Sequence, residues 1–487
     1  MAEKKQISLK LNFFMNVLLT LSSFIFPLIT FPYISRILLP IGTGKVALAN
    51  SVISYFAMFS MLGIPTYGIR AVAKVRDNRQ ELSRVTQELF IINFIMTAVV
   101  YAVFFLALPF VPRIAAEKPL YLITSLTLVL NLIGIEWLYK GLEQYTFITV
   151  RSIIFKFIAL IAMFALVHSK EDYVIYGAIC VFSASASYII NFVHARKFIT
   201  FKPTGNYNFR PHIKPILVFF AMSVATTIYT NLDTVMLGFM TTDIDVGYYN
   251  AAVKIKTVLV GVVTSLGAVI LPRASYYIEK KLMDEFKRIC KMALNFVMII
   301  ALPLTLYFTY YAEPGVLFLS GPAYEPSVLP MQVIMPTVFF IGLTNILGIQ
   351  MLVPMGKEKQ VLYSEIVGAV VDLVLNFILI PKLHSTGAAI GTLVAELAVL
   401  IYQYVVLRDL VRPMLRKISY WKIAVGLVLG SAASFWCAFL NIGNFLTLLV
   451  SAVIFFAVYF GFLILCKEPM AVEMLDVVLR KLKIKKA

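Results

Sequence analysis

Apolar runs of about twenty residues, each long enough to cross a hydrocarbon layer as a helix, follow one another along almost the whole chain. Inside a bilayer no water is present to satisfy backbone N–H and C=O groups. A run of this kind must therefore close its hydrogen bonds within itself, and only an α-helix does so segment by segment. Fourteen such runs can be counted, from 11–33 at one end to 444–466 at the other, joined mostly by short connections. Composition agrees: 60% of the 487 residues are hydrophobic and 14% are charged, with a mean hydropathy of +0.88, whereas soluble domains carry about 25% charged residues. The expectation is an all-α integral membrane protein of about fourteen transmembrane helices.

The chain has a formal net charge of +18, a balance often found in nucleic-acid-binding proteins. Position excludes that reading here. With fourteen spans, both termini lie on one side, and that side holds 34 of the 43 Lys and Arg residues against 6 on the other. The bias predicts cytoplasmic termini. The N-terminal apolar run exceeds the usual signal h-region of about 7–15 residues and lacks a small-residue cleavage site, so it reads as the first span. Cys180, Cys290, Cys437 and Cys466 stand singly and imply neither a disulfide nor a metal site. Between the second and third runs, Arg70, Lys74, Asp77, Glu81 and Arg84 fall 4, 3, 4 and 3 residues apart. That spacing predicts one amphipathic helical face lying against anionic head groups.

Two segments echo each other weakly. "GTGKVALANSV" follows the first span and "DVGYYNAAVKI" follows the seventh, while Lys156 and His168 repeat the twelve-residue spacing of Asp372 and His384. Six spans is an even number, so the copies share one orientation, with a pseudo-two-fold along the membrane normal. The expected organisation is an N-terminal lobe over 1–200, a C-terminal lobe over 201–412, and spans 13 and 14 with a basic tail over 413–487.

The stretch "FPYISRILLPIGTGKVALANSVISYFAMFSMLGIPTYGIRAVAKVRDNR", with "VGYYNAAVKI", "GPAYEPSVLPMQVI", "LVPMGKEK" and "GAAIGTLVAEL" in order behind it, resembles bacterial polysaccharide repeat-unit flippases. These belong to the multidrug/oligosaccharidyl-lipid/polysaccharide exporter superfamily. The resemblance implies a carrier in the bacterial plasma membrane that moves undecaprenyl-pyrophosphate-linked oligosaccharide from inner to outer leaflet by alternating access. It also implies work on capsule or O-antigen alongside a polysaccharide polymerase and a chain-length regulator, with membrane lipids and no nucleic acid as partners.

A pyrophosphate brings about two to three negative charges into a medium where unpaired charge costs several kcal/mol, so its route needs fixed cations. Arg36 and Lys45 flank a span end broken by Pro27, Pro32 and Pro40; Arg70, Lys156, Lys254 and Lys256 complete the candidate set. Related flippases hold the phosphate-sugar head in a cationic cavity, a role the resemblance carries to Arg36, Lys156 and Lys254. Lysine snorkelling is the alternative for Lys45 and Lys256. Glu136, Lys140 and Glu143, near Arg151, follow helical steps that suit a salt-bridge gate.

No catalytic constellation stands out, and His168, His194, His212 and His384 contain no i, i+4 metal pair, so no enzyme activity is expected. Asp372 and Asn376 share a helical face, as do Thr392 and Glu396, and Asp233 falls near the end of span 7. Oxygen ligands suit a hard cation, and lipid II flippases place sodium among spans 7, 11 and 12. Their span-11 pair runs Asn then Asp, the reverse of the order here. Asp233, Asp372, Asn376 and Thr392 are thus a candidate sodium set. The alternatives are proton coupling through Glu396 and a metal-free Asp372–Lys254 ion pair. No other cofactor is implied. Two rival functions are a cation-coupled multidrug antiporter and a polysaccharide polymerase; the latter normally needs a large outer loop that this chain lacks.

Overall fold

The computed structural model describes residues 9–265, 267–440 and 442–483, and among these every regular element is helical. The terminal segments used in the charge argument, 1–8 and 484–487, lie outside the described residues. Eleven helices are long and apolar enough to span, twelve counting the bent pair Pro322–Ile334 and Pro336–Leu352 once. The two longest runs, 62 and 49 residues, are each enough for two crossings at about 20 residues apiece. Each contains a non-helical break, so fourteen passes are accounted for.

Both breaks fall close to a proline, and for the first the cause is covalent. Leu39 in Leu9–Met61 has φ 57° and precedes Pro40, whose ring disfavours the α conformation at the residue before it. His384 in Glu358–Val406 has φ 50°, three residues after Pro381. Around His384 the chain folds back on itself. A Cβ on Gly387 would lie 2.6 Å from the Leu379 carbonyl oxygen, and one on Gly391 would overlap Asn376 Oδ1. Spans 11 and 12 are therefore an antiparallel hairpin in which glycine permits backbone contact.

The chain forms two compact units, 1–247 and 248–487. The sequence repeat puts a boundary at 200/201; the difference is Arg210–Met240, which packs on Leu9–Met61 and Ile64–Val75 in the first unit. That unit is centred on Trp137, Leu138, Tyr139 and Ile148, against Leu82 and Leu89. In the second unit, spans 13 (Tyr420–Ser434) and 14 (Asn444–Leu465) are joined to span 9 (Met283–Tyr310) and the residue after it by tyrosine hydroxyls donating to backbone carbonyls. Tyr311 reaches Ser434 at 2.6 Å, Tyr307 reaches Leu448 at 2.8 Å and Tyr459 reaches Ile299 at 3.1 Å. Large apolar side chains such as Phe157, Ile161, Phe377 and Val428 are exposed along the spans, as lipid-facing positions require. All four cysteines are thiols, Cys290 and Cys437 buried.

The single charged face expected over 70–84 does not form. Helix Ile64–Val75 ends before Arg76, and Asn78 starts a new helix, Arg79–Phe110, by accepting from the Gln80 and Glu81 amides. Arg70 and Lys74 belong to the first helix and Glu81 and Arg84 to the second, where they pair at 2.7 Å. Asn78 followed three residues later by Glu81 was the N-cap signal that the charge periodicity concealed.

Gly387→Ala should destabilise the second unit by about 1–3 kcal/mol, because the contacted atom is a carbonyl that cannot yield. Gly461→Ala, with nothing within 4 Å, should be neutral or stabilising by up to about 1 kcal/mol. Thermal denaturation of the two purified variants in detergent checks both.

Candidate functional site

On the basic side the carboxylates of the first unit are held in ion pairs. Span 4 breaks at Ile135, φ 34°, and restarts as Glu136–Gly141, placing Glu136 in a helix first turn where a carboxylate is favoured. Glu136 meets Lys140 at 2.7 Å and Arg151 at 3.7 Å. Arg151 is 5% exposed, donates to the Ser187 carbonyl and stacks over the Tyr188 ring. Three of the four residues expected at a gate thus come together. Glu143 does not join them; it pairs with Arg76 at 2.8 Å on the surface. Sequence reasoning missed a second cluster. Glu88 Oε2 lies 2.7 Å from His212 Nε2, Tyr67 Oη lies 2.8 Å from His212 Nδ1, and the Asn208 amide donates to Glu88 Oε1. Glu88 and His212 are both buried, and 124 residues separate them.

At the opposite ends of the spans Lys45 is committed to Glu117 at 2.5 Å, with the Tyr173 ring beneath its ammonium and the Tyr173 hydroxyl donating to the same carboxylate. Arg113 pairs with Asp243 at 2.7 Å. Between these pairs Gly44 and the 243–247 backbone approach so closely that any Cβ on Gly44 would overlap the Asp243 carbonyl.

The remaining candidate cations differ. Arg36 is exposed and donates to the Pro32 carbonyl of its own helix. Arg70 is exposed on Ile64–Val75, and Lys254 and Lys256 are half-buried on Asp243–Thr264. Lys156, half-buried within its span, donates to Ser22 Oγ at 2.8 Å and Ser23 Oγ at 3.1 Å. No carboxylate among the described residues pairs with it.

The first unit also contains a cavity of about 580 Å³ running towards Gly63 and Pro65. None of the residues lining it is charged, and none of the six candidate cations is among them.

In the second unit Asp372, Asn376, Thr392 and Glu396 are all buried. The hairpin brings Asp372 Oδ1 and Asn376 Oδ1 against Gly391, next to Thr392, whose hydroxyl is 2.9 Å from that of Tyr249. Tyr249 was not anticipated, although it sits in the "DVGYYN" segment that the repeat singled out. Asp233 is buried in the first unit. No three His, Cys, Asp or Glu side chains cluster in a metal-holding arrangement among the described residues. The donors present in the second unit, one carboxylate with amide and hydroxyl oxygens, have the hard-oxygen chemistry that a sodium ion accepts.

Among the described residues, fourteen helical passes with polar groups held near breaks in the spans define a polytopic all-α membrane fold. The sequence pattern of the family described as "Polysaccharide biosynthesis protein" matches residues 9–278, and that of the MatE family matches 219–378. The chain belongs to the polysaccharide biosynthesis protein family, within the multidrug/oligosaccharidyl-lipid/polysaccharide exporter superfamily. It is 25% identical over 399 residues to a protein of Escherichia coli (strain K12) named "Putative O-antigen transporter", covering 80% of this chain and 94% of that one. A Shigella dysenteriae protein of the same name is 24% identical, over 81% of this chain and 98% of the relative. Among solved structures, "Lipid II flippase MurJ, inward closed conformation" superposes with a TM-score of 0.65 at 14% identity, covering 89% and 97% of the two chains. An inward-facing multidrug resistance MATE transporter gives 0.63 at 13% identity, covering 80% and 95%. At such identities the superpositions establish the fold.

Glu136→Ala should cost about 3–5 kcal/mol of stability, because it leaves the Arg151 charge buried without a carboxylate. Glu143→Ala, which removes an exposed pair, should cost under about 1 kcal/mol. Equal shifts in the melting temperatures of the two variants would contradict this division of the network.

Proposed function

We propose that this protein flips undecaprenyl-pyrophosphate-linked oligosaccharide repeat units from the inner to the outer leaflet of the bacterial plasma membrane, for capsule or O-antigen assembly. Both termini are placed in the cytoplasm, and the mechanism is alternating access with no enzymatic step. Family membership and the names of the E. coli and Shigella relatives support the class of cargo. The observation that carries the reading is Lys156. A cation held inside a span by two serine hydroxyls, with no carboxylate at ion-pair distance and the Glu136 charge that acts on it already bound to Lys140 and Arg151, costs stability unless an anion uses it. Lys45 is less suited to meet cargo because Glu117 already matches its charge. Arg36 and Lys254 are the further cations assigned to the anionic head group. A polymerase and a chain-length regulator are the partners that would take up the glycan on the far side.

Resetting of the carrier is assigned to an ion held by Asp372, Asn376 and Thr392, with Glu396 one turn further along. Sodium is the candidate that suits these oxygens, and a proton on Glu396 is the alternative.

In cells deleted for this gene, lipid-linked glycan should accumulate on the cytoplasmic side, and wild-type protein should restore export. Lys156→Ala should lower restored export about tenfold or more with unchanged membrane levels, the effect of losing one charge interaction worth about 1.4 kcal/mol. Full export by Lys156→Ala would remove Lys156 from the cargo route, and loss of drug resistance with no glycan accumulation in the deleted cells would reject the proposal in favour of a drug carrier. Export by wild type should follow an imposed sodium gradient and that by Asp372→Asn should not. Indifference of both proteins to sodium would remove the site from the coupling step.

A further inference from the structure

Three helices of the first unit each carry neutral polar residues at four-residue spacing: Asn50 and Ser54, Thr127 and Asn131, and Ser223, Thr227 and Asn231. Positions four apart share one helical face. All three faces point into the same cavity of about 580 Å³, a size within the range of about 300–1,000 Å³ usual for small-ligand sites.

Such residues often hold transmembrane helices together by hydrogen bonds across a helix pair. Here they do not. Ser54 Oγ donates to the Asn50 carbonyl, and Asn231 Nδ2 donates to the Thr227 carbonyl and the Thr230 hydroxyl, all within one helix. Among the described residues, none of the seven side chains bonds to another helix. They face the void: Ser54 and Asn231 keep their oxygens as acceptors, and the side chains of Asn50, Thr127, Asn131, Ser223 and Thr227 keep both donor and acceptor capacity. The fourth wall is the stretch holding Cys180, Val181 and Ala184, where the helix loosens into a π-helical turn over Phe182–Ala186. Such turns are frequent at functional sites.

We propose that this cavity binds uncharged sugar rings of the cargo glycan and takes no part in holding the pyrophosphate. The inference rests on the carrier reading above and assigns a separate place to the neutral part of the same cargo. A sugar hydroxyl is both donor and acceptor, as are an Asn amide and a Ser or Thr hydroxyl. Met58 and Met61 in the lining offer adaptable apolar surface to the C–H faces of a ring. A phosphate would demand cations, and the lining has none.

Cys180 lines the cavity and serves as a native reporter. The full chain, with the other three cysteines replaced by Ser, is reconstituted into vesicles, and its maleimide labelling rate is followed. Two probes are added in turn: lipid-linked oligosaccharide extracted from the source cells, and undecaprenyl pyrophosphate without glycan. Binding of each is measured separately by retention of radiolabelled lipid.

The glycan-bearing lipid should slow Cys180 labelling several-fold, and bare undecaprenyl pyrophosphate should bind without slowing it. Thr127→Val with Thr227→Val, a near-isosteric pair, should weaken binding of the glycan-bearing lipid about tenfold through lost hydrogen bonds and leave the bare lipid unaffected. Equal protection by both lipids, or binding of the glycan-bearing lipid with Cys180 reactivity unchanged, would overturn the cavity assignment alone. Failure of either lipid to bind at all would overturn the carrier reading, and the cavity assignment with it.

Discussion

A hydrocarbon solvent that cannot hydrogen-bond forces every backbone group in this chain to find its partner nearby, and the rest of the architecture follows from that demand. It makes each apolar run a helix. It also confines irregular backbone to a few points: Leu39 and His384, exposed at turns between paired crossings, and Ile135, buried above the Glu136 network. The same demand makes polar side chains within the spans costly. Those that remain fall into three groups: tyrosines that bond backbone carbonyls, ion pairs near the span ends, and a smaller set facing cavities or partner oxygens.

The division among charged groups carries the functional argument. Glu136 with Arg151, Lys45 with Glu117 and Arg113 with Asp243 are internally matched, which makes them candidates for holding a conformation. Lys156 is held by serine hydroxyls and the face of Phe26, with no carboxylate at ion-pair distance. The hydroxyl- and amide-lined cavity carries no charge at all. An amphiphilic cargo with a doubly charged linkage and a neutral head could use both environments without competition between them.

Much of this was legible in the sequence, and the misses have physical causes. Span number follows from hydropathy because lipid imposes one rule on every segment, whereas the connector over 70–84 was misread because Asn78 caps a second helix inside it. The Asp372, Asn376 and Thr392 group was readable because its members lie on two spans joined by a turn. Glu88 with His212, and Lys45 with Glu117, were not readable, since their partners lie 124 and 72 residues apart and periodicity carries no information at that range. Glu143 was grouped with Glu136 by spacing along an assumed continuous helix; the chain instead turns at Glu143, φ 58°, and sends that carboxylate to Arg76. The polar spacing of Asn50, Asn131 and Asn231 was visible, but its convergence on one void is a tertiary fact.

The hairpin at His384 bears on how the protein enters the membrane during synthesis. Spans 11 and 12 carry Asp372, Asn376 and Glu396, so neither is comfortable alone in lipid. With only a short turn between them, and with Asp372 and Asn376 already facing Gly391, the two spans can leave the translocation machinery as a pair. Each then covers the polar atoms of the other before lipid reaches them. The glycines that allow this contact matter to biogenesis as well as to the finished carrier, because a bulkier residue there would present a carboxylate and an amide to hydrocarbon at the moment of insertion.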